Sequence, residues 1–241
     1  MRMLADAVLD KRGDIGIAFD GDGDRLGLVD DKGRILTGDQ TFTLIARDFL
    51  STHPGETVMS EVKMSSLFYK EVEKCGGKSL MWKVGHAFQK EKMMKEGIFL
   101  AGETSGHIFF AENRGFDDAL LAAVKVINML TNTTLTLSEM VDSLVSVYHT
   151  GEIRIALPTK ERYQLIEDIK GRLTTEGIDF NELDGIRVTT TEGFWLLRAS
   201  NTQPHLTIYC EGVSEEALKS CKDQMVAQVE ASGYIFANLV V

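Results

Sequence analysis

The hydrophobic pattern of the first 38 residues changes from a helical to a strand spacing. Apolar residues recur every three or four positions within residues 1–12, which predicts a helix. They then alternate at 15–19 and recur at 26–29 and 35–36, which predicts three short strands joined by polar turns. Because so short a segment cannot bury a core of its own, we expect residues 1–38 to be the C-terminal part of a preceding α/β domain.

Helix and strand patterns alternate from residue 39 to residue 150. The predicted helices lie at 40–50, 64–75 and 87–96 and after N-caps at Asp117 and Ser138, and the predicted strands lie at 57–60, 79–84, 98–101 and 108–111. This alternation is typical of a mixed, mostly parallel α/β sheet, in which ligands bind at the carboxyl ends of the strands. Gly85-His86 and the loop 102–107 both follow such ends.

The order of elements changes again after residue 150. One strand, one helix, three consecutive strands and a final helix are predicted between residues 151 and 241. This β-α-β-β-β-α order predicts a separate C-terminal α+β domain. The expected organisation is therefore an α/β chain with boundaries at 1–38, 39–150 and 151–241.

Composition narrows the classes of partner. The chain has 26 Lys and Arg against 36 Asp and Glu, a net charge of −10, which argues against nucleic acid or an anionic membrane as the main partner. No apolar run reaches the roughly 18 residues of a membrane span, and the N-terminus lacks the pattern of a signal peptide. The 3 cysteines show no C-x-x-C spacing, so neither a disulfide framework nor a zinc site is indicated. We expect a cytoplasmic protein.

Three aspartates alternate with glycines in the run Asp20-Gly21-Asp22-Gly23-Asp24-Arg25. Carboxylates this close repel one another unless a cation holds them, and hard oxygen ligands suit Mg²⁺. The guanidinium of Arg25 matches the geometry of a phosphate. The run therefore predicts a metal and phosphate site.

The acidic run also has three other interpretations. An EF-hand loop needs Gly at its sixth position and Glu at its twelfth, where this sequence has Arg25 and Asp31. A HAD-type phosphatase would use Asp20 as nucleophile and Asp22 as acid/base, but Asp24 stands where Thr or Val is usual. A solvated acidic turn between two strands is the plainest alternative.

A second candidate anion site lies between the last two predicted strands. The run from Arg198 to Pro204 combines one guanidinium, hydroxyl and amide side chains and loop amides, which could form a phosphate cradle. A Ser/Asn/Thr turn before proline is also common as a purely structural loop. From the residues alone both interpretations stay open.

Taken together, three loops resemble the signature loops of the α-D-phosphohexomutases, the phosphomannomutase/phosphoglucomutase superfamily, and occur in the family's order. Residues 20–25 resemble its metal-binding loop, 102–107 (G-E-T-S-G-H) its sugar-specificity loop and 198–202 (R-A-S-N-T) its phosphate-binding loop. The flanking segments 82–86 and 115–118 agree as well. The similarity covers essentially the whole chain, with residues 39–150 resembling the family's third domain.

The resemblance implies a role for each matching residue. Asp20, Asp22 and Asp24 would hold Mg²⁺, and Glu103 and Ser105 would hydrogen-bond the sugar hydroxyls. The catalytic cleft would be lined by Arg25, Lys63, His86 and His107, with His107 as a proton-transfer group. The phosphate that is not transferred would be bound by Arg198, Ser200, Asn201 and Thr202. For His86, capping of the following helix is the alternative.

The family interconverts hexose 1-phosphates and hexose 6-phosphates of mannose or glucose, with Mg²⁺ and with glucose 1,6-bisphosphate or mannose 1,6-bisphosphate as intermediate. Its phosphoserine lies in a T-A-S-H-N-P-like loop that this sequence does not contain. We therefore expect the chain to lack the first domain and most of the second, to need these N-terminal domains for a full site, and to be inactive alone. Asn201, where phosphoglucosamine mutases carry Gly, favours the phosphomannomutase/phosphoglucomutase group. A phosphoglucosamine mutase and a non-catalytic phosphosugar-binding module are the alternatives.

Overall fold

The computed structural model describes residues 1–200 and 203–235 and divides the chain into two compact units, Met1–Val145 and Ser146–Val241. Within the described residues no helix is long and apolar enough to cross a membrane. The finer division at residue 38 stays a prediction.

The first unit opens with helix α1 (Arg2–Lys11) followed by an antiparallel hairpin of β1 (Ile15–Phe19) and β2 (Leu26–Asp30). Phe19 pairs with Leu26, so the acidic run is the hairpin's connection. The third strand predicted at 35–36 is wrong, because only Ile35 forms a single bridge, to Val29. The next helix starts directly afterwards, with Thr37 as its N-cap, which leaves no length for a ladder.

The rest of the first unit is a four-stranded sheet with helices. Its elements are α2 (Gly38–Thr52), β3 (Thr57–Glu61), α3 (Ser66–Lys74), β4 (Lys78–Trp82), α4 (His86–Glu96), β5 (Leu100–Gly102), β6 (Ile108–Phe110), α5 (Ala119–Thr131) and α6 (Leu137–Asp142). The strand order is β4-β3-β5-β6, with β3 parallel to both neighbours and β6 antiparallel to β5. The predicted mixed, mostly parallel sheet is confirmed.

Apolar side chains cover both faces of this sheet. Because successive strand residues point to opposite faces, Leu100 joins a core with α2, α3 and α5, whereas Ala101 joins a second one with α4. Phe42 and Phe68 stack in the larger core with ring centroids 5.0 Å apart. Two covered faces leave the strand ends and their loops as the places for polar chemistry.

Two helix caps differ from the prediction. Helix α5 is capped by Asp118, whose Oδ1 accepts from Leu121 N at 2.9 Å, so the predicted cap Asp117 is wrong. Helix α6 is capped by Thr136 in a reciprocal box with Glu139, so Ser138 is not its cap. In both helices the pattern identified the helix but misplaced its first turn.

The second unit is an antiparallel sheet with two helices. Its elements are β7 (Tyr148–His149), β8 (Ile153–Ala156), α7 (Thr159–Glu176), β9 (Ile186–Thr189), β10 (Gly193–Ala199), β11 (His205–Gly212) and α8 (Glu215–Glu230). Strand β11 lies between β10 and the two short strands β7 and β8. Trp195 and Ile208 from the sheet share a core with Ile169 of α7 and Met225 of α8. The α+β prediction is confirmed, with β7 as an additional strand.

Candidate active site

Backbone hydrogen bonds join the acidic loop to the 102–107 loop. Leu26 N donates to Gly106 O at 3.0 Å, and Arg25 forms a β-bridge with His107. Gly106 has φ +97°, and a Cβ there would lie 2.8 Å from the carbonyl oxygen of Leu26. Only glycine fits this approach. Two of the three sequence motifs are thereby held side by side.

The three aspartates cluster as predicted. Carboxylate oxygens of Asp20, Asp22 and Asp24 lie within 4.8 Å of one another. Desolvation and the nearby Asp22 and Asp20 raise the pKa of Asp24, although His107 opposes this. For Asp20 desolvation acts in the same direction, but the backbone N–H groups of Arg25 and Asp24 hold its pKa below 3.8. This oxygen-only set of crowded like charges fits a hard divalent cation such as Mg²⁺.

His107 is buried at the junction of the two loops. Its Nε2 accepts a hydrogen bond from Arg25 Nε at 3.0 Å, while its Nδ1 lies 3.1 Å from Asp117 Oδ2 and 3.7 Å from Asp24 Oδ2. Desolvation lowers the pKa of His107 below 6.5, against the pull of Asp24. The ring is therefore neutral at neutral pH.

Asp117 is a member of this cluster that the sequence prediction placed in another role. Its Oδ1 pairs with Lys90 Nζ at 2.6 Å, and its Oδ2 lies 3.6 Å from Nδ1 of His86. Burial alone would raise the pKa of Asp117, but the hydrogen bond from Lys90 holds it below 3.8. The available signal in the sequence was the pair Asp117-Asp118, because the N-cap of α5 needs only one of these two acids. The predicted residue His86 is the most exposed of the group, and its ring lies 6.0 Å from that of His107.

Glu103, for which the sequence predicts a sugar-binding role, is buried directly after β5. Its Oε1 accepts from Gly85 N at 2.7 Å, and its Oε2 accepts from Ser105 Oγ at 3.3 Å. Desolvation, followed by the charge of Glu61, raises the pKa of Glu103 to about 7. The two predicted sugar-loop residues are thus hydrogen-bonded to each other, and the Gly85-His86 turn is tied to the same carboxylate.

A second buried carboxylate, Glu61, supports this loop from β3. Its Oε1 accepts from Thr104 N at 3.1 Å and from Thr104 Oγ1 at 2.5 Å. The predicted site residue Lys63 lies with its Nζ 3.5 Å from the same oxygen. Glu61 was missed because an acid at the end of a predicted strand has no distinguishing mark in the sequence. Its position explains how the 102–107 loop keeps its shape.

The third motif belongs to the second unit. Arg198, at the end of β10, is buried and pairs with Asp184 Oδ2 at 3.1 Å. A Cβ on Gly185 would lie 2.4 Å from the carbonyl oxygen of Leu197, so glycine allows this close approach. Ser200 Oγ accepts from Gln203 N at 3.2 Å. Asn201 and Thr202 lie outside the described residues.

An arginine that the sequence prediction did not select organises this loop. Arg162 of α7 is buried, and its Nη1 donates to the carbonyl oxygens of Ser200, Gln203 and His205 at 3.0, 2.6 and 3.1 Å. An arginine within a helical pattern is normally a solvated side chain, so no local pattern marks Arg162 as part of the site. Its three bonds hold the carbonyl groups of Ser200, Gln203 and His205 around one guanidinium.

Comparison with known proteins decides the family. The model of the phosphoglucomutase/phosphomannomutase alpha/beta/alpha domain III matches residues 37–148, and that of the family's C-terminal domain matches residues 152–228. The chain belongs to the phosphoglucomutase/phosphomannomutase family. The resemblance drawn from the three loops is confirmed.

Named relatives match over most of this chain. A phosphoglucomutase of Neisseria gonorrhoeae is 38% identical over 230 residues, 93% of this chain and 50% of the relative. A phosphomannomutase/phosphoglucomutase of Pseudomonas putida is 36% identical over 217 residues, 90% of this chain and 47% of the relative. The chain therefore spans about half the length of the curated relatives it matches.

Solved structures agree. A phosphoglucomutase/phosphomannomutase family protein from Burkholderia thailandensis superposes with a TM-score of 0.86 at 33% identity, over 97% of this chain and 51% of that one. An N-acetylphosphoglucosamine mutase from Aspergillus fumigatus, solved with GlcNAc-6P and magnesium, has a TM-score of 0.67 at 16% identity, over 95% of this chain and 53% of that one. The second likeness is one of fold alone.

Proposed function

We propose that this chain supplies the metal, sugar and distal-phosphate sites of a phosphohexomutase that interconverts hexose 1-phosphate and hexose 6-phosphate. The observation that carries the proposal is the backbone junction between the acidic loop and the 102–107 loop. It holds three carboxylates, Arg25, His107 and Glu103 in one region of the first unit. Phosphoryl transfer needs this combination of a cation site and positioned donors.

In this proposal Asp20, Asp22 and Asp24 hold Mg²⁺, which offsets negative charge on the transferring phosphoryl group. Their crowding supports the assignment, because the raised pKa of Asp24 reflects burial and like-charge repulsion that a cation would relieve. The side chain of Arg25 is 53% exposed, so a phosphate oxygen can reach its guanidinium and replace the hydrogen bond to His107. The solved Aspergillus relative with magnesium supports the choice of ion.

Glu103 and Ser105 recognise the sugar hydroxyls in this scheme, while Lys63 and His86 line the cleft and His107 transfers a proton. The Glu103 carboxylate offers acceptors fixed by Gly85 N, and Ser105 Oγ is both donor and acceptor. The structure of the Aspergillus relative with GlcNAc-6P supports a phosphosugar as ligand. Mannose and glucose phosphates, with their 1,6-bisphosphates as intermediates, are the proposed substrates.

The second unit grips the phosphate that is not transferred, through Arg198, Ser200, Asn201 and Thr202. Arg198 Nε is buried without a hydrogen-bond partner among the described residues. A buried guanidinium N–H without an acceptor is rare. A phosphate oxygen is a fitting acceptor for it.

The phosphoserine nucleophile is proposed to come from the N-terminal half of a phosphohexomutase, because this sequence has no T-A-S-H-N-P-like loop. The chain alone is then a binding half without turnover, acting in the cytoplasm once joined by that half. In the alternative, a module that only binds phosphosugar makes the same contacts but does not support turnover when it is mixed with an N-terminal half of a phosphohexomutase.

The test is reconstitution. We expect the purified chain alone to convert no glucose 1-phosphate to glucose 6-phosphate, and the chain mixed with the separately expressed N-terminal half of the Neisseria gonorrhoeae phosphoglucomutase to do so in Mg²⁺. Asp22→Asn should weaken the binding of Mg²⁺ to the chain alone, as measured by calorimetry. The same substitution should abolish the reconstituted turnover. Turnover by the chain alone would refute the role of the N-terminal half. Mg²⁺ binding unchanged by Asp22→Asn would refute the metal site.

A further inference from the structure

The ring of His107 has one nitrogen whose protonation state is fixed by its neighbour. Arg25 Nε carries a hydrogen at any ordinary pH and donates it to His107 Nε2 at 3.0 Å. Nε2 must then present a lone pair, and the proton of the neutral ring lies on Nδ1. This assignment follows from the contact with Arg25 and not from any assumption about substrate.

Nδ1 faces a carboxylate that needs a donor. Asp117 Oδ2 is 3.1 Å from Nδ1, and both atoms are buried without a hydrogen-bond partner among the described residues. The side chains of both residues are only 8% exposed, so water does not replace the missing bond. A small rotation of the carboxylate pairs the two atoms and satisfies both.

Lys90 holds the carboxylate in place on its other side. Its Nζ lies 2.6 Å from Asp117 Oδ1, which leaves Oδ2 directed at the histidine cluster. The neighbouring acid Asp118 serves a different purpose, since its Oδ1 caps α5 through Leu121 N. Only the first of the two successive acids belongs to the cluster.

We propose that Asp117, oriented by Lys90, is a positioning residue that holds His107 in the Nδ1–H tautomer, so that Nε2 is the nitrogen available to a ligand. Arg25 occupies the Nε2 lone pair in the present structure. A phosphate that draws Arg25 away leaves Nε2 with its lone pair unoccupied and Nδ1 still held by Asp117. The geometry thus makes the histidine an acceptor only when an anion has engaged Arg25.

This inference rests on the proposed function only where the lone pair of His107 Nε2 accepts a proton from a ligand. The tautomer itself can be measured in the chain without turnover. The measurement is a long-range ¹H–¹⁵N correlation spectrum of the histidine rings in ¹⁵N-labelled chain, with the His107 signals assigned by His107→Gln. We expect a single Nδ1–H tautomer for His107 in the wild-type chain. A predominant Nε2–H tautomer would overturn the proposal before any variant of Asp117 is made.

Asp117→Asn removes the charge at nearly constant shape and should shift the ratio of the two tautomers roughly tenfold, since hydrogen bonds to charged groups contribute at about that level. Asp118→Asn is the matched control, because asparagine also caps helices, and it should leave the ratio unchanged. Asp117→Glu restores the carboxylate and should recover part of the preference. An unchanged ratio in Asp117→Asn overturns the role of Asp117, whereas failed reconstitution of mutase turnover with an intact tautomer effect would count against the proposed function alone.

Discussion

Glu103→Gln should remove a pH dependence from the stability of the first unit. Glu103 is 4% exposed, and desolvation together with the charge of Glu61 raises its pKa from 4.5 to about 7. Because the folded state holds this proton more tightly than the unfolded state, protonated Glu103 stabilises the folded state, and this stabilisation is fully present below pH 4.5. It is lost as the pH rises through about 7. Glutamine keeps the shape and an acceptor for Gly85 N but has no charge to bury.

The magnitude follows from the two pKa values. A difference between 4.5 and about 7, at about 1.4 kcal/mol for each pKa unit, gives an upper bound of about 3 to 4 kcal/mol. Since relaxation of the surroundings reduces the cost of a buried charge, we expect about 1 to 3 kcal/mol. The variant and the wild-type chain should be equally stable near pH 4.5, and the variant should be more stable by this amount at pH 8.

Hydrogen exchange of peptides from β5 and β10, measured at increasing urea concentration, monitors the unfolding of the two units separately. The β5 peptide of the wild-type chain should lose protection at lower urea as the pH rises from 5 to 8, whereas in Glu103→Gln it should not. The β10 peptide should behave alike in both. Glu91→Gln, at an exposed position of α4, is the control for a loss of charge. Parallel profiles of the wild-type chain and Glu103→Gln over this range would refute the burial argument.

Three further substitutions test how glycine contacts and Arg162 stabilise the two units. Gly38→Ala should destabilise the first unit by about 1 to 3 kcal/mol in urea unfolding, because its Cβ would lie 2.1 Å from the carbonyl oxygen of Thr104. Gly171→Ala, in open space within α7, should instead stabilise the second unit by roughly 0.5 to 1 kcal/mol, and equal signs for the two would contradict the reasoning. Arg162→Lys should cost about 1 to 3 kcal/mol in unfolding of the second unit and speed amide exchange in the 200–205 loop, because lysine cannot donate in the same fork. Unchanged exchange there would contradict its role.

The sequence predicted the framework because each framework element has a local signature. The period of apolar residues located every α-helix of the described residues and all the longer strands, and the two fold classes followed from their order. The errors occurred where two local signals compete within a few residues. Asp117 and Asp118 are both good caps, and the backbone around α5 selects the second. Ile35 is apolar like a strand residue, but the cap at Thr37 ends the pairing.

The supporting residues of the site had no such signature. Arg162 and Glu61 are charged side chains in ordinary helix and strand positions, and only tertiary structure shows that their partners are loop backbone atoms. The functional loops were visible because glycine, aspartate and arginine occur together at unusual density. The residues that hold those loops are scattered singly, so composition and spacing cannot identify them.

The acidic loop and the 102–107 loop depend on each other for their shape. Arg25 and His107 are 82 positions apart, yet they share a backbone bridge and a side-chain hydrogen bond. The proposed metal ligand Asp24 therefore lies on a backbone whose course is fixed partly by Gly106 and its approach to Leu26. A substitution in the 102–107 loop that displaces this backbone should weaken cation binding even without touching a carboxylate. In this unit, the proposed cation binding and the proposed recognition by the 102–107 loop consequently depend on one structure rather than on two adjacent motifs.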